Sequence, residues 1–342
     1  MLAQNDLSGP ASNTQDVNTI ALVDVNLITY NHEKYVAKAI ESILQQKTSF
    51  VYRLIIGDDC STDKTQSIIR EYADKYPERI QTVLLAEHRG IQHKNRIGIE
   101  VLRLNTAKYV ALLDGDDYWT DPYKLQKQVD FLEGHPECSM CFHNVQMFYD
   151  DGSQPSKNLH PPNQKNFATV EDVINGLVPL PCTAMFRTKL LGDLPDSFYK
   201  VPNADWMMWV ILGQQGYIGY LGEVMAAYRA HAYGIWSRLT GQQRVTNHIE
   251  TYKAINAQLN YKYDRRISQI IAAAPRLQFE HEARVCLDKY HRLVRKGEIR
   301  MGLRFLWQAA HFAPFEVLRP RRLAVVLKNG FLGAFWKNRV ES

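Results

Sequence analysis

Tyr109-Val110-Ala111-Leu112-Leu113-Asp114-Gly115-Asp116-Asp117-Tyr118-Trp119 decides the reading of this 342-residue chain. An uncharged, apolar run, Tyr109 to Leu113, breaks at once into three carboxylates around one glycine. A short apolar run ended by turn residues is the pattern of a strand buried on both faces. The carboxylates then stand at that strand's carboxyl end, the edge of an open α/β sheet where ligands bind.

Two earlier stretches repeat the arrangement. Leu22 to Thr29 predicts a strand closing on Thr29-Tyr30-Asn31, and Tyr52 to Ile56 predicts a second, followed by Asp58-Asp59-Cys60-Ser61-Thr62-Asp63. Glu33 to Gln46 predicts a helix with Val36, Ala39, Ile40, Ile43 and Leu44 on one face, and Thr62 to Tyr76 predicts another. Ile80 to Leu85 adds a strand, and Gly98 to Leu104 a helical stretch. Strands alternating with helices in this way build an α/β fold with a mostly parallel sheet.

Further along, Asp121-Pro122 reads as an N-cap carboxylate followed by proline at the first helical position. That helix should run to about Glu133 and stop at Gly134-His135-Pro136. Residues 150–166 read as a loop, Asp205 to Gln215 as a helix and Tyr217 to Val224 as a strand. Beyond about residue 238 the pattern is helical and more basic, while residues 1–19 are polar and read as a disordered lead-in.

Bulk composition narrows the function. A formal charge of +5 is too mild for a dedicated nucleic-acid binder. Five cysteines, an odd number spread along the chain, suggest free thiols in a reducing compartment. Cys138-x-x-Cys141 resembles half a zinc site, but no second pair matches it, so buried thiols are expected. The longest uncharged run, Trp206 to Gly222, is too short and too polar to span a bilayer, and the start of the chain has no apolar signal core. The expected location is the cytoplasm, at most peripheral on the inner face of a membrane.

Carboxylates delivered to one sheet edge repel one another and need a cation or hydrogen-bond donors to stay ionised. A divalent ion with hard oxygen ligands, Mg²⁺ or Mn²⁺ bridging a diphosphate, suits two or three such oxygens. Either acidic motif alone reads as an ordinary turn or helix cap; both together, each after a buried strand, point to a site.

The combination resembles family 2 of the glycosyltransferases, which have the GT-A fold. Thr29 to Asn31, Asp58 to Asp63, Asp114 to Trp119 and Pro122 to Leu125 match the family's successive motifs, and the resemblance covers about residues 22–237. It implies a GT-A, Rossmann-like mixed and mostly parallel sheet flanked by helices. The catalytic domain would occupy residues 20–237, with a nucleotide-binding half (20–117), an acceptor-binding half (118–237) and a helical C-terminal region (238–342). It also implies inverting transfer of a sugar from a UDP- or dTDP-linked donor to a saccharide or lipid-linked acceptor, in bacterial surface polysaccharide or glycolipid assembly, with Mn²⁺ or Mg²⁺. The alternative is a catalytically inactive nucleotide-binding scaffold or partner-binding protein of the same fold.

Residue by residue, the resemblance makes Thr29, Tyr30, Asn31, Asp59 and Asp114 donor contacts, with Asp59 accepting from a uracil or thymine. It gives Asp116 the metal, with Asp117 adjacent, and makes Asp205 the catalytic base. His231, in Tyr228-Arg229-Ala230-His231, would complete the metal shell. Where many members carry an arginine after Gly90, this chain offers Lys94, Asn95 and Arg96. Trp206 is expected to wall the acceptor pocket. Trp236 belongs to Tyr233-Gly234-Ile235-Trp236-Ser237, which reads as a lid with a glycine hinge. The basic, aromatic stretch from Phe315 to Ser342 fits either an amphipathic helix on an anionic membrane or one packed back onto protein.

Overall fold

The computed structural model describes residues 20–87, 96–296 and 298–312. The lead-in, Lys94 and the segment from Phe315 onward, all named above, lie outside them.

In chain order the elements are β1 (Val23–Thr29), α1 (Val36–Leu44), β2 (Tyr52–Asp58), α2 (Thr65–Lys75), β3 (Ile80–Leu84), α3 (Arg96–Leu102), β4 (Tyr109–Asp114) and β5 (Tyr118–Trp119). There follow α4 (Lys124–Gly134), β6 (Cys138–Tyr149), β7 (Lys157–Asn158), β8 (Phe167–Ala168), α5 (Val170–Ile174), β9 (Met185–Arg187) and α6 (Thr188–Leu191). The chain continues through α7 (Ala204–Gly213), β10 (Tyr217–Ala230), α8 (Ile235–Arg238), α9 (Gly241–Gln258), α10 (Asp264–Arg295) and α11 (Ile299–Phe312).

One sheet runs in the order β3-β2-β1-β4-β9-β6-β10-β5, with β7 on β6 and β8 on β10. The pairs β3–β2, β2–β1, β1–β4 and β6–β10 are parallel, and β9 runs antiparallel between β4 and β6. This is the mixed, mostly parallel sheet with flanking helices of the GT-A fold. Register puts Thr29 opposite Asp58 and Ile28 opposite Asp114, so the three loops singled out in the sequence leave the sheet side by side.

Alternation along each strand feeds two cores. Tyr109, Ala111 and Leu113 of β4 face α1, α2 and α4, while Val110 faces α5, α7 and α9 together with Phe142, Phe186 and Trp209. Helix α9 is built into that second core through Tyr252 and Ile255, and the Tyr252 hydroxyl donates to the Ile174 carbonyl at 2.9 Å.

Several expected boundaries move for local reasons. Helix α1 starts at Val36 and α2 at Thr65, because residues 31–33 and 61–64 bond to each other first. Thr62 N–H donates to Asn31 Oδ1, Glu33 N–H to Asp63 Oδ2 and Lys64 N–H to Glu33 Oε2. The Asp121 carboxylate accepts from Tyr123 N–H at 2.7 Å, a tight turn two residues on, and regular helix begins only at Lys124. Pairing with β6 carries β10 to Ala230, past the predicted end at Val224. Part of the predicted loop 150–166 pairs as β7. Cys138 and Cys141 are buried in β6. Lys124 is fully buried with its Nζ 3.9 Å from the centre of the Trp119 ring, and burial pushes its pKa down to about 7.

Candidate active site

Where β1 ends, Asn31 takes a left-handed conformation (φ 54°), as does Cys60 beyond β2 (φ 61°). These turns lock the two loops together. Asn31 N–H donates to Ser61 Oγ at 2.8 Å, His32 N–H to Thr65 Oγ1 at 2.8 Å and Asp59 N–H to the Thr29 carbonyl at 3.1 Å. Tyr30 is left with 39% of its surface exposed. Asp59 is partly exposed beside it.

The loop after β4 is pressed against the first. A β-carbon at Gly115 would stand 2.7 Å from Thr29 Oγ1 and 3.0 Å from His32 Nδ1, so only glycine fits between the two strand ends. Its three carboxylates differ sharply. Burial pushes Asp114 up to about 8, helped by repulsion from Asp116 and Asp205. Burial, then Asp116 and Asp114, also raises Asp117 well above the usual carboxylate range, although its Oδ1 accepts from Arg229 N–H at 2.8 Å.

Asp116 goes the other way. Burial would raise it, but the hydrogen bond with His231 and the charges of His32 and His231 hold it below the ordinary value. Its Oδ2 lies 3.0 Å from His231 Nε2 and 3.6 Å from His32 Nε2. The two imidazoles stand 6.4 Å apart at near-perpendicular tilt. The outer nitrogen of each, Nδ1, is buried without a hydrogen-bond partner.

Asp205 comes from the opposite half of the molecule. It is the second residue of α7, after Asn203 as N-cap, so it does not itself cap the helix. Burial raises its pKa to about 6 against the bonds from its own and Trp206's backbone N–H. It lies near enough to Asp114 to add to the rise in that residue's pKa. The structure thus brings Thr29, Tyr30, Asn31, Asp59, Asp114, Asp116, Asp117 and His231 to one sheet edge, with Asp205 of α7 near Asp114. Arg96 lies in α3, 3.8 Å from Glu100. Trp206 packs edge-on against His248 and Tyr252 of α9, its ring 4.6 and 5.8 Å from theirs. Trp236 sits in α8, which Gly234 begins at φ −61°, an ordinary conformation for any residue.

Sequence reasoning missed His32 and did not use Arg229 or Asp150. His32 directly follows Tyr30-Asn31, but nothing in the chain links it to Asp116; the pairing of β1 with β4 does. The Arg229 guanidinium donates from Nη1 to Asp150 at 2.5 Å and from Nε to the Asp116 carbonyl at 2.9 Å.

Residues 24–194 match the profile of Glycosyl transferase family 2. The chain belongs to that family. An uncharacterized protein of Mycobacterium tuberculosis is 37% identical over 210 residues, which is 61% of this chain and 59% of the relative. A Bacillus subtilis protein named as a teichuronic acid biosynthesis glycosyltransferase, TuaG, is 30% identical over 213 residues, 61% of this chain and 79% of its own length. The chain therefore spans about 59% of the length of its mycobacterial relatives.

Among solved structures, the mannosyltransferase PcManGT of Pyrobaculum calidifontis, in complex with GDP-Man and Mn²⁺, superposes with a TM-score of 0.55 at 17% identity, over 94% of this chain and 82% of that one. S. aureus TarS 1-349 in complex with UDP-GlcNAc gives 0.52 at 18% identity, over 83% and 90%. At such identities the likeness is one of fold.

Proposed function

We propose that this glycosyltransferase is inverting and metal-dependent. It moves a sugar from a UDP- or dTDP-linked donor to the hydroxyl of a saccharide or lipid-linked acceptor, in the assembly of a bacterial surface polysaccharide or glycolipid. The observation that carries this reading is Asp116. It is an ionised carboxylate shared by two imidazoles at the common end of three strands, with a second raised-pKa carboxyl, Asp205, acting on its neighbour Asp114. The relatives support the pathway class, since TuaG is named for teichuronic acid and a second Bacillus subtilis relative, GgaB, for minor teichoic acid biosynthesis.

The donor set fits a divalent ion. No group of three His, Cys, Asp or Glu side chains among the described residues is arranged to hold one alone. Asp116 Oδ2 and His231 Nε2, with His32 Nε2 beside them, offer an oxygen and nitrogens, and Mg²⁺ or Mn²⁺ commonly completes such a shell with diphosphate oxygens and water. When bound, the ion would offset the charge that develops on the departing diphosphate.

The chain's own residues do the rest. Asp59 and Tyr30 hold the base, while Thr29 and Asn31 line the donor side; Lys94, outside the described residues, is a further candidate donor contact. Asp114, its pKa pushed up to about 8, carries a proton at neutral pH and donates a hydrogen bond to the ribose or sugar. Asp205, with a pKa near 6, is mostly ionised at neutral pH and takes the acceptor's proton as its oxygen attacks the anomeric carbon. Trp206 borders the acceptor side, and Trp236 is a further candidate acceptor contact. We propose residues 20–117 as the nucleotide half, 118–237 as the acceptor half and the region from 238 onward as an extension, helical through α9, α10 and α11. No helix among the described residues is long and apolar enough to cross a membrane. We propose a cytoplasmic protein with peripheral contact at the inner face of the membrane through its C-terminal region, and no nucleic-acid partner.

A thermal-shift panel of UDP-, dTDP- and GDP-sugars with and without Mn²⁺, followed by turnover with the stabilising donor, tests the reading. A uridine or thymidine donor should raise Tm only with the ion present. Full activity in excess EDTA rejects metal dependence, and binding without any turnover favours the inactive scaffold.

A further inference from the structure

We infer that Arg229 is the positioning residue that fixes Asp116 against His231, an inference that rests on the reading of Asp116 as the carboxylate facing the ion and diphosphate. Arg229 stands on β10 two residues before His231. Its backbone N–H holds Asp117 Oδ1 at 2.8 Å, and its Nε holds the Asp116 carbonyl at 2.9 Å. Nη1 reaches Asp150 Oδ1 at 2.5 Å, and the other oxygen of Asp150 accepts from the Tyr35 hydroxyl at 3.0 Å. The guanidinium lies 4.4 Å from the centre of the Tyr35 ring and 4.8 Å from that of Phe148, with 10% of its side chain exposed.

Nε and Nη1 are both committed to protein oxygens and the guanidinium packs against two rings, so its role is that of a fastener. What it fastens matters. Asp116 belongs to the loop after β4 and His231 to the end of β10, strands that are not neighbours in the sheet. The far end of that loop is tied to β10 by β5, which pairs with Ala226 and Ala227; at the Asp116 end Arg229 adds two bonds, one to the Asp116 backbone and one to its neighbour's carboxylate. A charge-assisted fork holds direction as well as distance, which a lysine cannot reproduce. Groups that orient a ligating residue typically contribute a factor of about 10–100 in metal affinity or activity.

The experiment measures Mn²⁺ binding in the presence of UDP, by the electron paramagnetic resonance signal of free Mn²⁺, on full-length wild type and on Arg229→Ala, Arg229→Lys and Asp116→Ala. Turnover is followed in parallel. Arg229→Ala should weaken Mn²⁺·UDP binding by about 10–100-fold and lower kcat/KM by a similar factor. Arg229→Lys should recover little of either, and millimolar guanidinium should restore part of both to Arg229→Ala, which a general loss of stability would not permit. Should Arg229→Ala fail to fold, Arg229→Gln, which keeps the stem and one donor amide, takes its place in the same measurements. Wild-type Mn²⁺·UDP binding by a folded Arg229 variant, with Asp116→Ala defective, overturns the inference. Wild-type binding by Asp116→Ala as well overturns instead the assignment of Asp116 on which the inference stands.

Discussion

Asp58 ends β2 and Asp116 stands two residues past the end of β4, and the two look alike in the sequence, yet they finish in opposite conditions. Asp58 is fully buried and spends its oxygens within its own loop. Oδ1 accepts from Ser61 N–H at 2.8 Å and Gln66 Nε2 at 2.6 Å, and Oδ2 accepts from the Ser61 hydroxyl. Asp116 receives nothing comparable from its neighbours in sequence. Its Oδ2 faces two imidazoles brought from the ends of β1 and β10, with Asp114 and Asp117 pressed beside it. The difference is one of supply. A carboxylate with donors three and eight residues on builds a loop; one whose partners come from distant strands has oxygens to share with a ligand.

The sharpest break in that comparison comes from removing each carboxylate. Asp116→Ala should cost turnover on the order of 10³-fold and abolish the Mn²⁺-dependent rise in Tm with nucleoside diphosphate, while circular dichroism stays native. An active Asp116→Ala enzyme would make the two loops equivalent after all. Asp205→Asn should lower kcat by on the order of 10²–10⁴ with donor affinity little changed. Since the base must be ionised and its pKa is about 6, kcat of the wild type should rise with pH through that value. The same shift has a stability consequence. The native state holds the Asp205 proton from about 4, the ordinary Asp value, up to about 6, so this residue's contribution to stability falls as pH rises through that window. Asp205→Asn should accordingly melt above the wild type at pH 8 and lose that advantage near pH 4. Equal melting at both pH values removes the buried-carboxyl account.

Asp58→Ala should reverse the pattern. Ser61 and Gln66 lose a buried acceptor, a cost of about 2–3 kcal/mol in urea unfolding, while the protein that remains folded keeps most of its kcat. A larger loss of kcat than of stability would mean that Asp58 acts on substrate directly.

How much of this was legible follows from range. The strands β1, β2 and β4 and the loops they end in could be read because apolar runs and turn residues are local signals. The acidic set followed from those ends lying on one edge, and Asp205 from the family resemblance alone. His32 could not be read as a partner of Asp116, since only the register of β1 on β4 brings them within 3.6 Å. The start of α2 was misread because Thr62 N–H turns to Asn31, a bond across thirty-one residues that no local propensity encodes. Strand β9, three residues long and inserted between β4 and β6, left too little pattern to see.

The smallest effect tests the outer limit of the site. Arg96 was a candidate donor contact, and the structure sets it in α3, 3.8 Å from Glu100 one turn on. A partly exposed pair at this spacing contributes about 0.3–0.5 kcal/mol. Arg96→Gln should therefore move the urea midpoint by an amount equivalent to no more than about 0.5 kcal/mol. Any larger consequence must come through substrate. A several-fold rise in KM for the donor at unchanged kcat, fading as salt is raised, would add Arg96 to the donor side of the cleft and extend the contrast to a third loop. An unchanged KM would confine the site to the ends of β1, β2, β4 and β10 and the start of α7.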